Sequence, residues 1–515
     1  MQLRPCEYRL LGLLLAASCL TAPASAADWS MAVGRDPARG GLSPDLGPTD
    51  PAILWQGSRP AIVAQQGVAA GNLLVVNRIA NFDVATGTLL VAHDLTTGAE
   101  QWAVHLPVDP NAWREKVMAI RDGHIYATRG GDTKLGFIYA LDPATGGILW
   151  TSQDKTDEST TESPAFAPDG DLIVGNFGSI RRVNHLNGAT VWTATRSAPT
   201  TDGQGATVFG SRVYSWEASA FGPKVTAFDL ATGNRLYSSR GLGGGFVQQL
   251  GLFAGPDGTV YAPRTQNNAA TDSLFALADI DTGFADRWRV PLGYVPFASF
   301  AIGPDGSVYS YNPSRELVRL DAATGAVLNT SMVIPADFPM QPRMAADAAG
   351  RVYLTNGGFG QGRVFSFNAD LTLRWSQAIA NVNLGGPVLA GGGTMVVCGV
   401  GNDVRAYRTA STAVAGAGGQ APLRLALEQN VPNPFNPATR IGFDLAGEGR
   451  VALAVYDAGG RRVRTLIAGE PRAAGHHEVV WRGVDERGAP VPSGVYFYRL
   501  EAGGAVESRK MLLIE

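Results

Sequence analysis

Cysteine, histidine and charge are all scarce in this chain of 515 residues, and each scarcity removes a class of function. Of 3 Cys, two (Cys6 and Cys19) fall within the first twenty residues. Cys398 stands alone in the remainder, so no disulfide framework is available to the body of the protein. Its setting, Met395-Val396-Val397-Cys398, reads as a buried strand and a small core residue. Charged residues make up 17% with a net charge of -3, and no Lys/Arg run or basic stripe offers a surface to nucleic acid. Arg supplies most of the positive charge, and no function follows from that. The 6 His show no metal-ligand spacing: His93, His105, His124 and His185 are scattered, and His476-His477 are adjacent in a turn. No Gly-x-Ser-x-Gly elbow is present, which removes the usual nucleophilic serine. Gly241-Leu242-Gly243-Gly244-Gly245 does not run on into a P-loop Lys and reads as a loop. The acidic stretch Asp154 to Glu162 lacks the glycine and terminal glutamate of a calcium loop and reads as a solvated connection. Long helical periodicity is absent, and no apolar run beyond the first 26 residues is long enough to span a membrane.

What the chain has in abundance is glycine, 64 residues, with 31 Pro. That composition suits an all-β protein with many turns, and the length suggests more than one domain. The first 26 residues read as a secretory signal: Arg4 and Arg9 flank the start of the apolar run Leu10 to Leu20, and Ala24-Ser25-Ala26 is a cleavage site. Ala16-Ala17-Ser18-Cys19 loosely resembles a lipoprotein box but lacks the usual Leu before the Cys, so lipidation at Cys19 stays the lesser alternative.

A turn recurs between residues 94 and 375. Its pattern is Asp-x-x-Thr-Gly followed by Trp or an apolar residue. Asp94 to Gly98 leads to Trp102, Asp142 to Gly146 to Trp150, Asp229 to Gly233 to Tyr237, and Asp321 to Gly325 to Leu328. Degenerate copies run from His185 to Trp192, from Asp281-Thr282-Gly283 to Trp288, and from Asn368 to Trp375. Asp accepts a backbone hydrogen bond that starts the turn, and Gly takes the positive φ that ends it. Residues alternate on either side, as in a hairpin. Each hairpin is preceded by a strand that leaves a Gly turn, for example Pro256-Asp257-Gly258 before Val260-Tyr261-Ala262, and eight such strands can be counted. A unit of several short antiparallel strands repeating every 40 to 50 residues or so is a propeller blade. The eighth unit lacks a full second hairpin, and Ile53-Leu54-Trp55 looks like the missing outer strand, so the chain is expected to close an eight-bladed ring on itself.

The run Tyr-Ala-Leu-Asp-x-x-Thr-Gly-x-x-x-Trp, seen at 139–150, resembles the repeats of pyrroloquinoline-quinone-type (PQQ-like) eight-bladed propellers. That group includes quinoprotein alcohol dehydrogenases and the non-enzymatic propeller of the outer-membrane assembly machinery. The opening Asp28-Trp29-Ser30-Met31 through Gly41-Leu42-Ser43 looks like the start of such domains. The resemblance implies the fold and leaves activity open. Its enzymatic members hold Ca²⁺ and the quinone in the central funnel, often with a vicinal Cys-Cys pair. This chain has no such pair and no ligand set assignable by motif. The repeat Trp residues, Trp102, Trp150, Trp192, Trp288 and Trp375, are better explained as side chains docking one blade on the next.

Beyond Ser411 to Gln420, a small, polar and Gly-rich linker, a second pattern begins. Asn433-Pro434-Phe435-Asn436-Pro437 opens it, alternating strands follow (Val451 to Tyr456, Val463 to Ile467, Glu478 to Trp481), and Gly494-Val495-Tyr496 leads to an end at Lys510 to Ile514. Short strands with turn signals every 8 to 12 residues or so describe a small β-sandwich. The stretch resembles the Ig-like domain of flagellar hook-capping proteins and the C-terminal sorting domain of type IX secretion cargo, which implies an export address.

The expected organisation is a signal at 1–26, a propeller at 27–408, a linker at 409–421 and an Ig-like sorting domain at 422–515. The expected function is non-catalytic binding of a protein, peptide or glycan at or outside the cell surface, as a monomer, after passage through a type IX-like machinery and without a cofactor. The alternative is a quinone-dependent dehydrogenase, with pyrroloquinoline quinone and Ca²⁺ in the funnel.

Overall fold

The computed structural model describes residues 29–514 apart from 30, 32–33, 58, 60, 63–64, 82, 84–85, 109–113, 131–134, 158–163, 198–204, 244–250, 269, 297, 336–341, 358–361, 380–381, 383–384, 400–403, 410–425, 428–429, 431–432, 446–448, 458–459, 473–474 and 503–504. The expected signal, Asp28, the linker Ser411 to Gln420 and the acidic residues Glu158 to Glu162 therefore lie outside the described residues. The chain divides into two units, Met1–Ala410 and Ser411–Glu515.

In the first unit the alternating stretches pair into eight four-stranded antiparallel sheets among the described residues. Blade 1 is Val68–Ala70, Leu73–Ile79, Thr88–Asp94 and Glu100–Val104. Blade 2 is Arg114–Arg121, His124–Gly130, Ile138–Leu141 and Ile148–Thr151. Blades 3 to 7 repeat the order, beginning at Ala165, Thr207, Phe253, Ala301 and Arg343. In blade 8 the order is completed from the far end of the chain: Ile53–Gln56 pairs antiparallel with Val404–Tyr407, Ile53 opposite Tyr407 and Gln56 opposite Arg405. This is an eight-bladed propeller closed by its N-terminal strand. The closing strand satisfies an edge that would otherwise stay open to other chains.

In every blade but the second, whose first strand is Arg114–Arg121, the first strand is short and largely buried, with little room for alternation; in blades 3, 5 and 6 it is two residues long, as in Ala301–Ile302. Sequence alternation therefore revealed the outer three strands and not this inner one. The last strand of each blade is the most exposed, as its eeie pattern at Ile148–Thr151 shows.

The second unit is a sandwich of a three-stranded sheet (Ala426–Leu427, Thr439–Leu445, Gly475–Trp481) and a four-stranded sheet (Arg462–Arg472, Gly449–Asp457, Gly494–Ala502, Ala505–Leu513). Its core holds Ile441, Phe443, Leu453, Tyr498 and Leu500, all fully buried. Phe435 enters that core from the Pro-rich opening. Its amide donates to Leu512 O at 3.0 Å, and its ring lies 5.5 Å from that of Trp481, which is 5.3 Å from Tyr496. Asn433 Oδ1 accepts from the Leu512 amide at 2.8 Å, so Asn433-Pro434-Phe435 pins the end of the chain. Pro434, Asn436 and Pro437 frame that entry. Gly494 begins the strand carrying Tyr496, and Lys510 is exposed on the last strand.

Candidate functional site

The recurring turn and tryptophan form one interlock between neighbouring blades. In the first turn Asp94 Oδ1 accepts from the amides of Thr96 (3.0 Å) and Thr97 (2.8 Å) and from the Thr97 hydroxyl (2.9 Å). That hydroxyl in turn accepts from the Ala99 amide at 3.2 Å, so the Thr side chain closes the turn that the Asp opens. Gly98 sits at φ +74°, where a β-carbon is strained. It also lies flat on the indole of Trp55 from blade 8: a β-carbon there would be 2.5 Å from the ring. Trp55 Nε1 donates to Leu95 O, inside the same turn, at 2.8 Å.

The arrangement repeats around the ring. Trp102 donates to Pro143 O at 2.9 Å and lies under Gly146; Trp150 donates to His185 O at 3.0 Å and lies under Gly188. Trp192 donates to Leu230 O at 3.1 Å under Gly233, and Trp288 to Ala322 O at 2.9 Å under Gly325. Asp142, Asp229 and Asp321 each cap their turn as Asp94 does. These residues are thus brought together in pairs between blades and do not converge on one point.

Three blades depart from the pattern. In blade 4 the tryptophan is replaced by Tyr237. Its hydroxyl donates to Asp279 Oδ1 at 2.5 Å, and Tyr214 donates to the other oxygen at 2.7 Å. The expected turn Asp281-Thr282-Gly283 is corrected accordingly: the leading Asp is Asp279, its carboxylate is drawn to the two tyrosines, and Asp281 at φ +63° takes the left-handed position. In blade 6 the position opposite the preceding strand belongs to Asn329, which faces Arg319, and not to Leu328, which is exposed. In blade 7 Trp375 packs near Tyr407 with ring centroids 6.1 Å apart, but its Nε1 has no acceptor among the described residues. The reason is topological. The outer strand of blade 8 comes from the N-terminus, so that blade has no turn to receive an indole.

The end of the channel opposite the Gly turns carries a second column that motif reading missed. It occupies the loop-side end of the second strand, three residues after the Tyr in Ile125-Tyr126-Ala127-Thr128-Arg129, Val213-Tyr214-Ser215-Trp216-Glu217, Val260-Tyr261-Ala262-Pro263-Arg264, Val308 to Asn312 and Val352 to Asn356. Arg78 and Asn176 fill the place in blades 1 and 3. The recurring polar residue after Tyr was the available signal.

These side chains tie down the connections at the rim. Arg78 donates to Arg59 O at 2.9 Å and to Gly399 O at 3.2 Å. Arg129 donates to Leu106 O at 2.6 Å and to Glu115 Oε1 at 2.8 Å. Asn312 binds Glu316 Oε2 at 2.7 Å, and Asn356 binds Pro335 O at 2.7 Å. Arg264 reaches Thr271 O and stands 4.0 Å from Asp272.

Two buried acids at this rim are shifted in opposite directions. Glu115 is fully buried with one arginine and the Leu106 amide on one oxygen; burial outweighs both and raises its carboxyl to about 8. Burial acts on Glu217 too. It is outweighed there by Arg235, by the Ser197 amide at 2.8 Å and by the Thr226 hydroxyl at 2.7 Å, and the carboxyl is held down at about 2. The fully buried Cys398 thiol is pushed up to about 11, chiefly by burial, which removes its reactivity at neutral pH.

Residues 44–278 match the family model described as outer membrane protein assembly factor BamB, and residues 430–505 match the FlgD Ig-like domain. No curated protein matches the chain. Among solved structures, the computationally designed Ika8 protein is similar over 69% of this chain and 99% of its own, at 14% identity and a TM-score of 0.52. BamB from Moraxella catarrhalis is similar over 62% of this chain and 94% of its own, at 16% identity and a TM-score of 0.40. PorZ of the type-IX secretion system of Porphyromonas gingivalis is similar over 87% and 69%, at 12% identity and a TM-score of 0.38. The chain therefore joins a propeller carrying PQQ-type, BamB-like repeats to an Ig-like domain of the FlgD type.

Proposed function

We propose that the first unit is a non-catalytic binding module. Its ligand, a protein, peptide or glycan, meets the loop-side rim of the channel. The observation that carries this reading is the buried polar column from Arg78 to Asn356. Arg78, Arg129 and Asn356 spend hydrogen bonds on the backbone of Arg59, Leu106 and Pro335, so these described ends of the rim connections are fixed in place, which favours recognition because the ends need no further ordering on binding. Placing the protein at the cell envelope or outside it, with the second unit as the export address, is supported by the signal-like sequence at 1–26, the match to the BamB description and the FlgD-type domain.

The quinone-dependent alternative needs carboxylates with free lone pairs for Ca²⁺. Two buried acids of the rim, Glu217 and Asp272, do not fit that need. Glu217 is taken up by Ser197, Thr226 and Arg235, and Asp272 by the amides of Gln266 (2.8 Å) and Asn268 (3.0 Å).

The test has two arms. Full-length protein is incubated with pyrroloquinoline quinone and Ca²⁺ and assayed for dye-linked alcohol oxidation; turnover would overturn the non-catalytic reading. Full-length protein is also screened on glycan and peptide arrays, and binding should fall when loop-side connections are replaced by Gly-Ser. For export, a chain ending at Gly419 should accumulate in the periplasm of the native host, and normal export of that chain would overturn the address.

A further inference from the structure

The first residues of the propeller do more than lead to the closing strand. Trp29 and Met31 are fully buried. The Ala69 amide of blade 1 donates to Trp29 O at 3.0 Å, and Met31 bridges Ala119 of blade 2. The segment then folds into a tight turn. Gly41 N donates to Gly34 O at 2.9 Å, and Gly40 N donates to Asp36 Oδ1 at 3.2 Å. From that turn it offers one carbonyl after another to the inner strands. Pro37 O accepts from Val208 N of blade 4 at 2.9 Å, Ala38 O from Ala254 N of blade 5 at 2.8 Å, Gly40 O from Ile302 N of blade 6 at 2.7 Å, and Gly41 O from Ala346 N of blade 7 at 2.9 Å.

Successive Cα atoms are about 3.8 Å apart. A segment that meets four blades in five residues must therefore circle the axis and not run along it. The donors occupy one register: Ala69, Val208, Ala254, Ile302 and Ala346 lie opposite Leu74, Val213, Val260, Val308 and Val352 of the second strands. Inner strands of a propeller have one unpaired edge each, and here those edges converge on a single peptide. Glycine is required for the approach. A β-carbon on Gly41, at φ +60°, would stand 2.8 Å from Phe300 O, and one on Gly47 would stand 2.6 Å from the Tyr353 ring.

We propose that the converging inner-strand edges form a binding site for a turn-forming, glycine-rich peptide backbone. The chain's own residues Gly34 to Pro48, with Trp29 and Met31, fill it in cis. They close the Gly-turn mouth of the channel and leave the loop side as the way in. Recognition is by main-chain hydrogen bonds, so the same peptide supplied in trans binds there.

Two forms of the full-length protein test this. In one, residues 29–48 are deleted and the closing strand Ile53–Gln56 is kept. In the other, a protease site is placed at the exposed Thr49–Asp50 junction and cut after folding, which removes dependence on the deletion variant folding. The readout is native-state amide exchange at Ala69, Val208, Ala254, Ile302 and Ala346. The nicked segment should stay bound through gel filtration and be displaced by excess synthetic peptide 29–48. Once it is displaced by a shortened peptide lacking 37–41, the Val208, Ala254, Ile302 and Ala346 amides should exchange at least about tenfold faster, with Ala69 as the internal control. Release of the segment on cutting with no change at these amides would overturn the proposal. So would unchanged protection in a folded deletion variant, or failure of the synthetic peptide to compete with the nicked segment.

Discussion

Two glycines of blade 2 separate backbone strain from blade docking. Gly123, at φ +77°, has no atom within 4 Å of the place a β-carbon would take. Gly146, at φ +71°, would place that carbon 2.8 Å from Trp102 Cε3 and 3.0 Å from Val104 Cγ1. Both Gly→Ala substitutions incur the left-handed backbone cost, about 1–2 kcal/mol. Gly146→Ala must in addition move a ring held by its bond to Pro143 O, and overpacking of this kind costs about 1–3 kcal/mol. Gly123→Ala should thus lose about 1–2 kcal/mol and Gly146→Ala about 2–5 kcal/mol in total. The assay is urea unfolding followed by tryptophan fluorescence and circular dichroism, comparing midpoints at constant slope. In a Trp102→Ala background the surplus at Gly146 should disappear, giving a coupling of about 1–3 kcal/mol in a double-mutant cycle. Equal losses at the two glycines, or a Gly146→Ala penalty undiminished without the indole, would refute the interlock.

The two rim acids predict opposite pH limbs. The carboxyl of Glu217 is lowered from 4.5 to about 2, so it contributes stability above pH 4.5 that is lost as pH falls toward 2; the shift corresponds to about 3 kcal/mol, and Glu217→Gln should flatten the acid limb of a stability profile. Glu115 is raised from 4.5 to about 8, so stability is lost as pH rises through that window, and Glu115→Gln should flatten the decline between pH 4.5 and about 8 instead. Removal of residues through Gly57 takes away both Ile53–Gln56 and the axial segment; light scattering should show association through the open edge, and a monodisperse, equally stable truncation would count against closure. Phe435→Ala should cost the second unit about 3–5 kcal/mol, seen by calorimetry as a lowered transition for that unit with the propeller transition unmoved.

Much of the propeller was legible because its signals are local. Asp-x-x-Thr-Gly closes on itself through bonds of two and three residues' separation, and strands around it alternate because one face is buried. Sequence by itself therefore determined the blades, their number and the candidate closing strand, and it determined the sandwich from its own alternation. It also placed Phe435 and Tyr496 in a shared motif without showing that they meet across Trp481. Tertiary structure alone decided what depends on neighbours. The partner of each bonded repeat indole is a turn some forty residues away, the Asp279 turn is reshaped by two tyrosines of the preceding blade, and Trp375 lacks an acceptor among the described residues because blade 8 is assembled from both ends of the chain. Seven of the eight inner strands carry two to four residues, too few for any period to show. The course of Trp29 to Pro48 around the axis leaves no periodic trace, because it is read through backbone carbonyls, which every sequence possesses; only the glycines at 41 and 47 mark where close approach demanded them.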